Sequence, residues 1–291
     1  MNRHDIFDHI KEWGNAFTPA VIQGTHALFG PLVGRPDEAQ VVRDQVYGDD
    51  PRHRLDIFKS DAASGARPVL LFVHGGGFVM GDKGAADAPF HNNIGAFAAK
   101  AGLVGATMSY RLAPGHGWPA GGEDVVRAVD WLAANIADHG GDPKRIFIMG
   151  TSAGATHVAD AVTMGANVAG ALMISGLYDV GRAEPNDFRT AYYGQEESDL
   201  TARSTLSRLA ATKTPCLFSV SEYDPNDFQN QALWLVEAWV AAHGRWPEMH
   251  WLAGHNHLSS VSQIGSPHDD LGPLIEHFIA RVGREPRGSQ A

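Results

Sequence analysis

A short apolar run leads directly into a glycine-flanked serine in the stretch Arg145-Ile146-Phe147-Ile148-Met149-Gly150-Thr151-Ser152-Ala153-Gly154. The apolar run predicts a buried strand, and the residues from Ala155 onward have the composition of a helix. Gly-x-Ser-x-Gly between a strand and a helix is typical of a sharp turn that presents a nucleophilic serine above the sheet. We therefore predict that Ser152 is a nucleophile, although an ordinary glycine turn would also explain the pentapeptide alone.

The rest of the chain alternates between short apolar runs and stretches with helical periodicity. Continuous apolar runs indicate strands buried on both faces, as in a parallel sheet, and they cover residues 69–73, 103–108, 146–149, 171–174, 216–220 and 249–252. An antiparallel hairpin is predicted before them, at 41–47 and 55–58. Helical spacing covers 123–138, 230–243 and 271–282. This order predicts an α/β fold with a mostly parallel sheet of about eight strands, flanked by helices.

Two regions do not follow this alternation, namely residues 1–40 and 177–214. Ligands bind at the carboxyl ends of the strands in open α/β sheets, and both regions are candidates for a small cap over that edge. The sequence thus predicts an N-terminal cap segment at 1–40, a catalytic domain at 41–284 and a flexible tail at 285–291.

A run of glycines follows the first strand of the predicted parallel sheet, in the stretch His74-Gly75-Gly76-Gly77-Phe78. Glycines at a strand end can turn their backbone N–H groups into a concave site for an oxyanion. The spacing does not fit a phosphate-binding loop, because position 80 is methionine and no Gly-Lys-Ser/Thr follows. A flexible surface loop is the alternative. His74 is expected to pack or to form a hydrogen bond rather than to act as a base.

A nucleophilic serine needs a base, and the base needs a carboxylate that holds it in the right tautomer. On a sheet of this kind the chain order is serine, acid, histidine, each at the end of a strand. Asp224 follows the run 216–220 and is the predicted acid, with Asp227 as the alternative. His257 follows the run 249–252 and is the predicted base, with His255 as the alternative.

The pair His255 and His257 could also be interpreted as two metal ligands. A third ligand at suitable spacing is missing, and His268-Asp269-Asp270 falls in a separate loop. We therefore expect no metal and no cofactor.

Composition excludes several other classes of protein. The 291 residues include 33 acidic and 23 basic side chains, for a formal net charge of −10, which argues against a nucleic-acid partner. Cys216 is the single cysteine, so the chain cannot form an intrachain disulfide. There is neither an apolar run of 18 residues nor a signal-like start, so we expect no membrane contact and a cytoplasmic location.

The sequence resembles the α/β-hydrolase superfamily over roughly residues 41–282, and in particular the hormone-sensitive-lipase-like carboxylesterases. The resemblance rests on His74–Phe78 and Gly150–Gly154 together with three further stretches, Tyr110-Arg111-Leu112-Ala113-Pro114, Trp118-Pro119-Ala120 and Asp142-Pro143-Lys144-Arg145-Ile146. It implies Ser152, Asp224 and His257 as the catalytic residues. It also implies an oxyanion hole made by the N–H groups of Gly76, Gly77 and Ala153.

Two features differ from that group. Thr151 stands where those esterases usually have aspartate, and the stretches Arg54–Phe58 and Asn256-His257 resemble small feruloyl-esterase-like and arylformamidase-like hydrolases. The resemblance implies a serine carboxylesterase for small to medium-chain or aryl esters. The alternative is an arylformamidase acting on N-formylkynurenine-type amides with the same residues. A non-catalytic small-molecule receptor on the same fold is a remote alternative, because such proteins typically lose one of these residues.

Several aromatic residues and one methionine fall near predicted strand ends or in the cap regions. Phe78, Trp118, Tyr178 and Tyr223 are predicted to bind substrate, and Met80, Tyr193 and Phe228 are further candidates. Ordinary packing would explain each of them equally well. The expected partner is a small-molecule ester, with a homodimer as a possibility.

Overall fold

The computed structural model describes residues 2–59 and 65–283, and in them eight strands form one sheet. The strands are β1 (Val41–Val46), β2 (Arg54–Phe58), β3 (Arg67–Val73), β4 (Val104–Met108), β5 (Gly141–Thr151), β6 (Gly170–Ile174), β7 (Cys216–Tyr223) and β8 (Glu248–Asn256). Their order across the sheet is β1-β2-β4-β3-β5-β6-β7-β8. The predicted tail at 285–291 lies outside the described residues.

Helices follow most of the strands. They are α1 (Arg3–Trp13), α2 (Pro19–Phe29), α3 (Asn92–Lys100), α4 (Ala120–Asn135), α5 (Ala153–Thr163), α6 (Asp187–Tyr193), α7 (Glu197–Arg203), α8 (Leu206–Ala210), α9 (Asn226–His243), α10 (Ser259–Ser262) and α11 (Gly272–Val282). Short 3-10 turns occupy Glu38–Gln40 and Ile136–His139. Among the described residues, no helix combines the length and the apolar character needed to cross a bilayer.

The pairing of the strands confirms the predicted fold class. β1 pairs with β2 and β2 with β4 in antiparallel fashion, which confirms the hairpin. From β4 across to β8 every pairing is parallel. The carboxyl ends of β3 and β5 to β8 therefore lie along one edge of the sheet. The predicted catalytic residues directly follow the ends of β5, β7 and β8 in the chain.

Two hydrophobic layers cover the sheet, one on each face. On one face, side chains such as Leu71, Ile148 and Phe218 pack against α4, α5 and α9. On the other face, side chains such as Phe72 and Phe147 pack against α3 and α11. Burial on both faces explains why these strands have continuous rather than alternating apolar sequences.

The two predicted cap regions pack against different parts of the edge formed by the carboxyl ends of the parallel strands. In the N-terminal region, α1 packs against β8 and α2 against α10. In the second region, the rings of Tyr192 and Tyr193 at the end of α6 contact Phe78 at 4.7 and 5.5 Å between centroids. Both placements are consistent with the predicted cap, and the domain division remains a prediction.

Candidate active site

Ser152 lies in the turn between β5 and α5, in a backbone conformation that few side chains adopt. Its φ is 54° and its ψ is −124°. A Cβ atom at Gly150 would overlap the carbonyl of Gly154, and one at Gly154 would overlap the carbonyl oxygen of Val73. These close backbone contacts leave room only for glycine at both positions. The resulting turn leaves the Ser152 side chain half-buried at the edge of the sheet.

Asp224 and His257 are brought together by the ends of two adjacent strands. Asp224 directly follows β7 and His257 directly follows β8. The Nδ1 atom of His257 lies 2.6 Å from Oδ1 of Asp224, and both side chains are buried, at 3% and 0% exposure. This short contact fixes the orientation of the imidazole and places its Nδ1 proton toward the carboxylate.

Two serines complete the surroundings of this carboxylate, and neither was predicted from the sequence. Oδ2 of Asp224 accepts hydrogen bonds from the Ser175 hydroxyl and from the Ser221 backbone N–H, each at 2.6 Å. Ser175 follows β6 with a φ of 51°. Its position directly after a strand is the one signal that could have pointed to it.

The Nε2 atom of His257 is buried and has no hydrogen-bond partner among the described residues. Ser152 and His257 are consequently not hydrogen-bonded in this structure. Contacts of this type are often long in the absence of substrate and tighten when it binds. Ser152, Ser175, Asp224 and His257 nevertheless follow four consecutive strands of the sheet, β5 to β8.

The glycine loop after β3 lies beside the nucleophile turn. A Cβ atom at Gly75 would be 3.2 Å from the Cβ of Ser152. Gly76 and Gly77 have φ values of 122° and 58°, and no acceptor among the described residues pairs with their N–H groups. The N–H of Ala153 lies in the first turn of α5, where helices lack internal acceptors. The structure thus places the glycine loop beside the serine turn, and the role of these N–H groups as an oxyanion hole stays a prediction.

Neighbouring side chains hold this loop in place. His74 stacks on Tyr110 at 4.3 Å, and its Nδ1 lies 2.6 Å from the carbonyl oxygen of Gly75. Complete burial lowers the pKa of His74 well below its usual value, so its ring is neutral. The Arg52 guanidinium donates to the carbonyl oxygens of Tyr110 and Gly81 at 2.6 and 2.7 Å. His74 is therefore a packing residue, as expected.

The two alternative residues, His255 for the base and Asp227 for the acid, have other hydrogen-bond partners. His255 uses its two ring nitrogens on Ser259 at 3.0 Å and on Asp270 at 3.1 Å. Oδ2 of Asp227 accepts from the Glu184 backbone N–H at 3.2 Å. No group of three potential metal ligands occurs within residues 2–59 and 65–283.

The four predicted substrate-binding aromatic residues do not share one pocket. Phe78 is 3% exposed and packs in an apolar cluster that also includes Ala153. Trp118 borders the same cluster and is half-buried. Tyr178 is placed differently from the prediction, because it is 2% exposed and packs into the core beside Phe218. Tyr223 packs against the apolar cluster beneath α1 and α2.

Three phenylalanines lie close to His257 or to the glycine loop, and two of them were not predicted. The ring centroids of Phe17 and Phe228 lie 5.0 and 4.2 Å from that of His257. Phe188 on α6 faces the glycine loop, where a Cβ atom at Gly77 would be 3.1 Å from its ring. Phe17 and Phe188 belong to segments without a strand pattern, so nothing local in the sequence relates them to the site.

Parallel strands that bring a serine, a carboxylate and a histidine to one edge of the sheet, in that chain order, are the arrangement of an α/β-hydrolase. The family model described as the alpha/beta hydrolase fold matches residues 70–257, which is more than half of the chain. The chain belongs to this family. The match confirms the resemblance to hormone-sensitive-lipase-like α/β-hydrolases.

Similar proteins of known sequence are named as esterases or hydrolases. A protein of Oryza sativa subsp. japonica named probable isoprenylcysteine alpha-carbonyl methylesterase is 38% identical over 121 residues, which are 42% of this chain and 27% of that protein. Phenmedipham hydrolase of Pseudarthrobacter oxydans is 37% identical over 156 residues, 50% of this chain and 28% of that protein. The matched part thus spans about a quarter of each relative's length.

Solved structures show the same fold over nearly the whole chain. A bacterial heroin esterase superposes with a TM-score of 0.70 and 24% sequence identity, covering 92% of both chains. At this level of identity the likeness establishes the fold and leaves the substrate to be argued from the site.

Proposed function

We propose that this protein is a serine carboxylesterase that hydrolyses small to medium-chain or aryl esters through an acyl-enzyme intermediate. The observation that supports this most directly is the buried contact of 2.6 Å between Asp224 and His257, whose Nε2 has no partner among the described residues. A histidine oriented in this way by a carboxylate has its second nitrogen available to accept a proton.

In the proposed reaction the Ser152 hydroxyl attacks the ester carbonyl while Nε2 of His257 takes its proton. Asp224 stabilises the imidazolium that forms. The tetrahedral oxyanion accepts hydrogen bonds from the N–H groups of Gly76, Gly77 and Ala153. Each such donor contributes roughly 3 kcal/mol to the transition state in comparable sites.

The first half of the reaction ends when His257 gives its proton to the leaving alcohol, and the acyl group stays on Ser152. In the second half, water attacks the acyl carbonyl while His257 takes a proton from it. His257 then returns this proton to the Ser152 oxygen as the bond to the acyl group breaks and the carboxylic acid leaves. This scheme uses only side chains and backbone groups of the chain, with no cofactor.

The substrate range is supported by the apolar surroundings of the site and by the names of the relatives. The rings of Phe17, Phe188 and Phe228 lie around the proposed site and suit an apolar or aryl substrate. The similar proteins include a methylesterase and a phenmedipham hydrolase, and activity on carboxylic esters is proposed for this chain by analogy. The arylformamidase alternative would use the same residues, so only substrate assays separate the two.

The first test is the release of p-nitrophenol from p-nitrophenyl acetate, butyrate and octanoate. We expect turnover by the native protein and a fall of about 10³- to 10⁶-fold for Ser152→Ala, since loss of the nucleophile removes the covalent route. Circular dichroism of Ser152→Ala controls for folding. Equal rates for the native protein and Ser152→Ala would contradict the proposal, and the next substrate would be N-formylkynurenine.

A further inference from the structure

The N-terminal segment contacts three consecutive residues around the catalytic histidine. The ring of Phe7 on α1 lies edge-on to His255 at 5.1 Å. On α2, the Thr25 hydroxyl accepts a hydrogen bond from the Asn256 amide at 3.0 Å. Phe17, between the two helices, lies edge-on to His257 at 5.0 Å with an interplanar angle of 84°. The N-terminal segment thus packs against His257 and against the two residues that precede it.

The link between α1 and α2 is held at both ends and in the middle, so the position of Phe17 is defined. The N–H of Gly14 bonds to the carbonyl oxygens of Ile10 and Lys11 and ends α1. The Asn15 amide donates to Oδ1 of Asn226 at 2.9 Å, which ties the link to the start of α9. Thr18 caps α2 by accepting a hydrogen bond from the N–H of Val21.

Phe17 is not a core residue, although its backbone is well anchored. Its side chain is 48% exposed, whereas the His257 ring that it contacts is 3% exposed. A phenyl ring that is half exposed beside a buried catalytic imidazole can cover a bound apolar group. Such a contact would remove further apolar surface from water when substrate binds.

The chemistry of the proposed reaction indicates which half of the ester lies there. The proton that Nε2 of His257 carries must reach the oxygen of the leaving alcohol, so the alcohol half lies against His257. The carbonyl oxygen lies at the N–H groups of Gly76 and Gly77. Phe17 and Phe228, which both contact the His257 ring, are therefore on the leaving-group side, and Phe188 is on the side of the glycine loop.

We propose that Phe17, together with Phe228, forms the wall of a leaving-group subsite, and that the enzyme prefers esters whose alcohol half is an aryl group. This inference rests on the proposed esterase function. Aromatic rings pair edge-to-face or in tilted stacks with centroids about 4.5–7 Å apart, and a phenol-type leaving group between the two side chains would form such contacts. Phe17 is in this proposal a specificity-determining residue, with no role in proton transfer.

The test compares phenyl acetate with ethyl acetate, because both esters yield the same acetyl-enzyme and differ only in the leaving alcohol. For each ester, kcat/KM is measured for the native protein, Phe17→Ala and Phe17→Tyr. We expect Phe17→Ala to lower kcat/KM for phenyl acetate about three- to tenfold, with less than a twofold change for ethyl acetate. Phe17→Tyr keeps the ring and should retain the native preference. Trp251→Ala, which removes an aromatic ring at 59% exposure on β8, is the matched control and should change neither rate.

Three other outcomes would contradict the inference, and one of them would also contradict the proposed function. An equal loss on both esters would overturn the inference, because Phe17 would then act on the position of His257 rather than on the alcohol. An unchanged rate on both esters would overturn it as well. If the native protein hydrolyses neither ester above the Ser152→Ala background, the proposed function itself fails and the inference fails with it.

Discussion

At the scale of single residues, the edge at the carboxyl ends of the strands contains two serines in a conformation that non-glycine residues rarely adopt. Ser152 and Ser175 follow neighbouring strands with φ values of 54° and 51°. Conformations of this kind cost about 1–3 kcal/mol each and persist where the surrounding structure requires them. The Ser152 N–H bonds to the carbonyl oxygen of Ile174, so the two turns also support each other.

Ser175 is expected to position the acid. Its hydroxyl donates to Oδ2 of Asp224 at 2.6 Å in a buried environment, where a charge-assisted hydrogen bond contributes more than a neutral one. Ser175→Ala should lower kcat about three- to tenfold, measured with p-nitrophenyl acetate under saturating conditions.

Ser219→Ala is the matched control for Ser175→Ala. Ser219 is a buried serine on β7 whose hydroxyl has no hydrogen-bond partner among the described residues. Its replacement should leave kcat unchanged. Equal activity of Ser175→Ala and the native protein would mean that the Ser221 N–H alone is enough to orient Asp224.

At the scale of elements, the loop between β3 and α3 is shaped by glycines and anchored by charges. The Lys83 ammonium lies 2.9 Å from Asp56 on β2, and Asp56 also accepts a hydrogen bond of 2.7 Å from Arg43 on β1. Asp56 is fully buried, so these two cations compensate a charge that would otherwise be costly. The antiparallel hairpin thus fixes the loop that presents the proposed oxyanion donors.

The turn at Gly76 should not tolerate a side chain. A Cβ atom there would overlap the carbonyl oxygen of Met80, and the φ of 122° is unfavourable for any other residue. We expect Gly76→Ala to lower kcat/KM for p-nitrophenyl acetate by about 10²-fold or more, because the loop must move and displace its N–H groups.

Gly34→Ala is the control for Gly76→Ala, since a Cβ atom at Gly34 meets nothing within 4 Å and its φ is not positive. Its activity should equal that of the native protein. Full activity of Gly76→Ala would show that this part of the loop does not bind the oxyanion.

At the scale of the whole molecule, a buried polar cluster joins α4, α5 and α6. His157 and Asp160 on α5 are 0% and 1% exposed, and His157 Nε2 and Asp160 Oδ2 have no partner among the described residues. Oδ1 of Asp160 accepts a bond of 3.4 Å from the Trp118 indole. Burial raises the pKa of Asp160 to about 7 and lowers the pKa of His157 to about 3.

The raised pKa of Asp160 predicts a stability that depends on pH. An unfolded chain loses this proton near pH 3.8, whereas the folded protein keeps it until about pH 7. The folded state binds more protons between these values, so this group's contribution to the free energy of unfolding falls as pH rises through that window, by about 4 kcal/mol at most.

Asp160→Asn removes this titration and keeps the size of the side chain. Its free energy of unfolding, relative to the native protein, should rise between pH 4 and pH 8 in urea titrations. Asp130→Asn, at an exposed position on α4, is the control. Parallel pH profiles for Asp160→Asn and the native protein would contradict the raised pKa.

The same cluster explains one difference between the predicted and the observed helices. The periodicity predicts a helix from Glu123, but α4 begins at Ala120 and includes Gly121 and Gly122. A Cβ atom at Gly121 would overlap the ring of His157, and one at Gly122 would lie 2.6 Å from the Cβ of Asp160. Glycine disfavours helices in general, and here the close packing of α4 on α5 outweighs that preference.

The sequence by itself determined the sheet and the order in which the serine, the acid and the histidine follow its strands. Buried strands and a glycine-flanked serine are local patterns, so the strands, Ser152 and the positions of Asp224 and His257 at strand ends could be predicted from short windows. The tertiary structure alone decided which polar and aromatic groups meet there. Ser175 and Phe17 reach the site across 49 and 240 residues of chain from their partners Asp224 and His257. Periodicity reports whether a residue is buried, whereas contacts at such separations depend on how the helices and loops pack on the sheet.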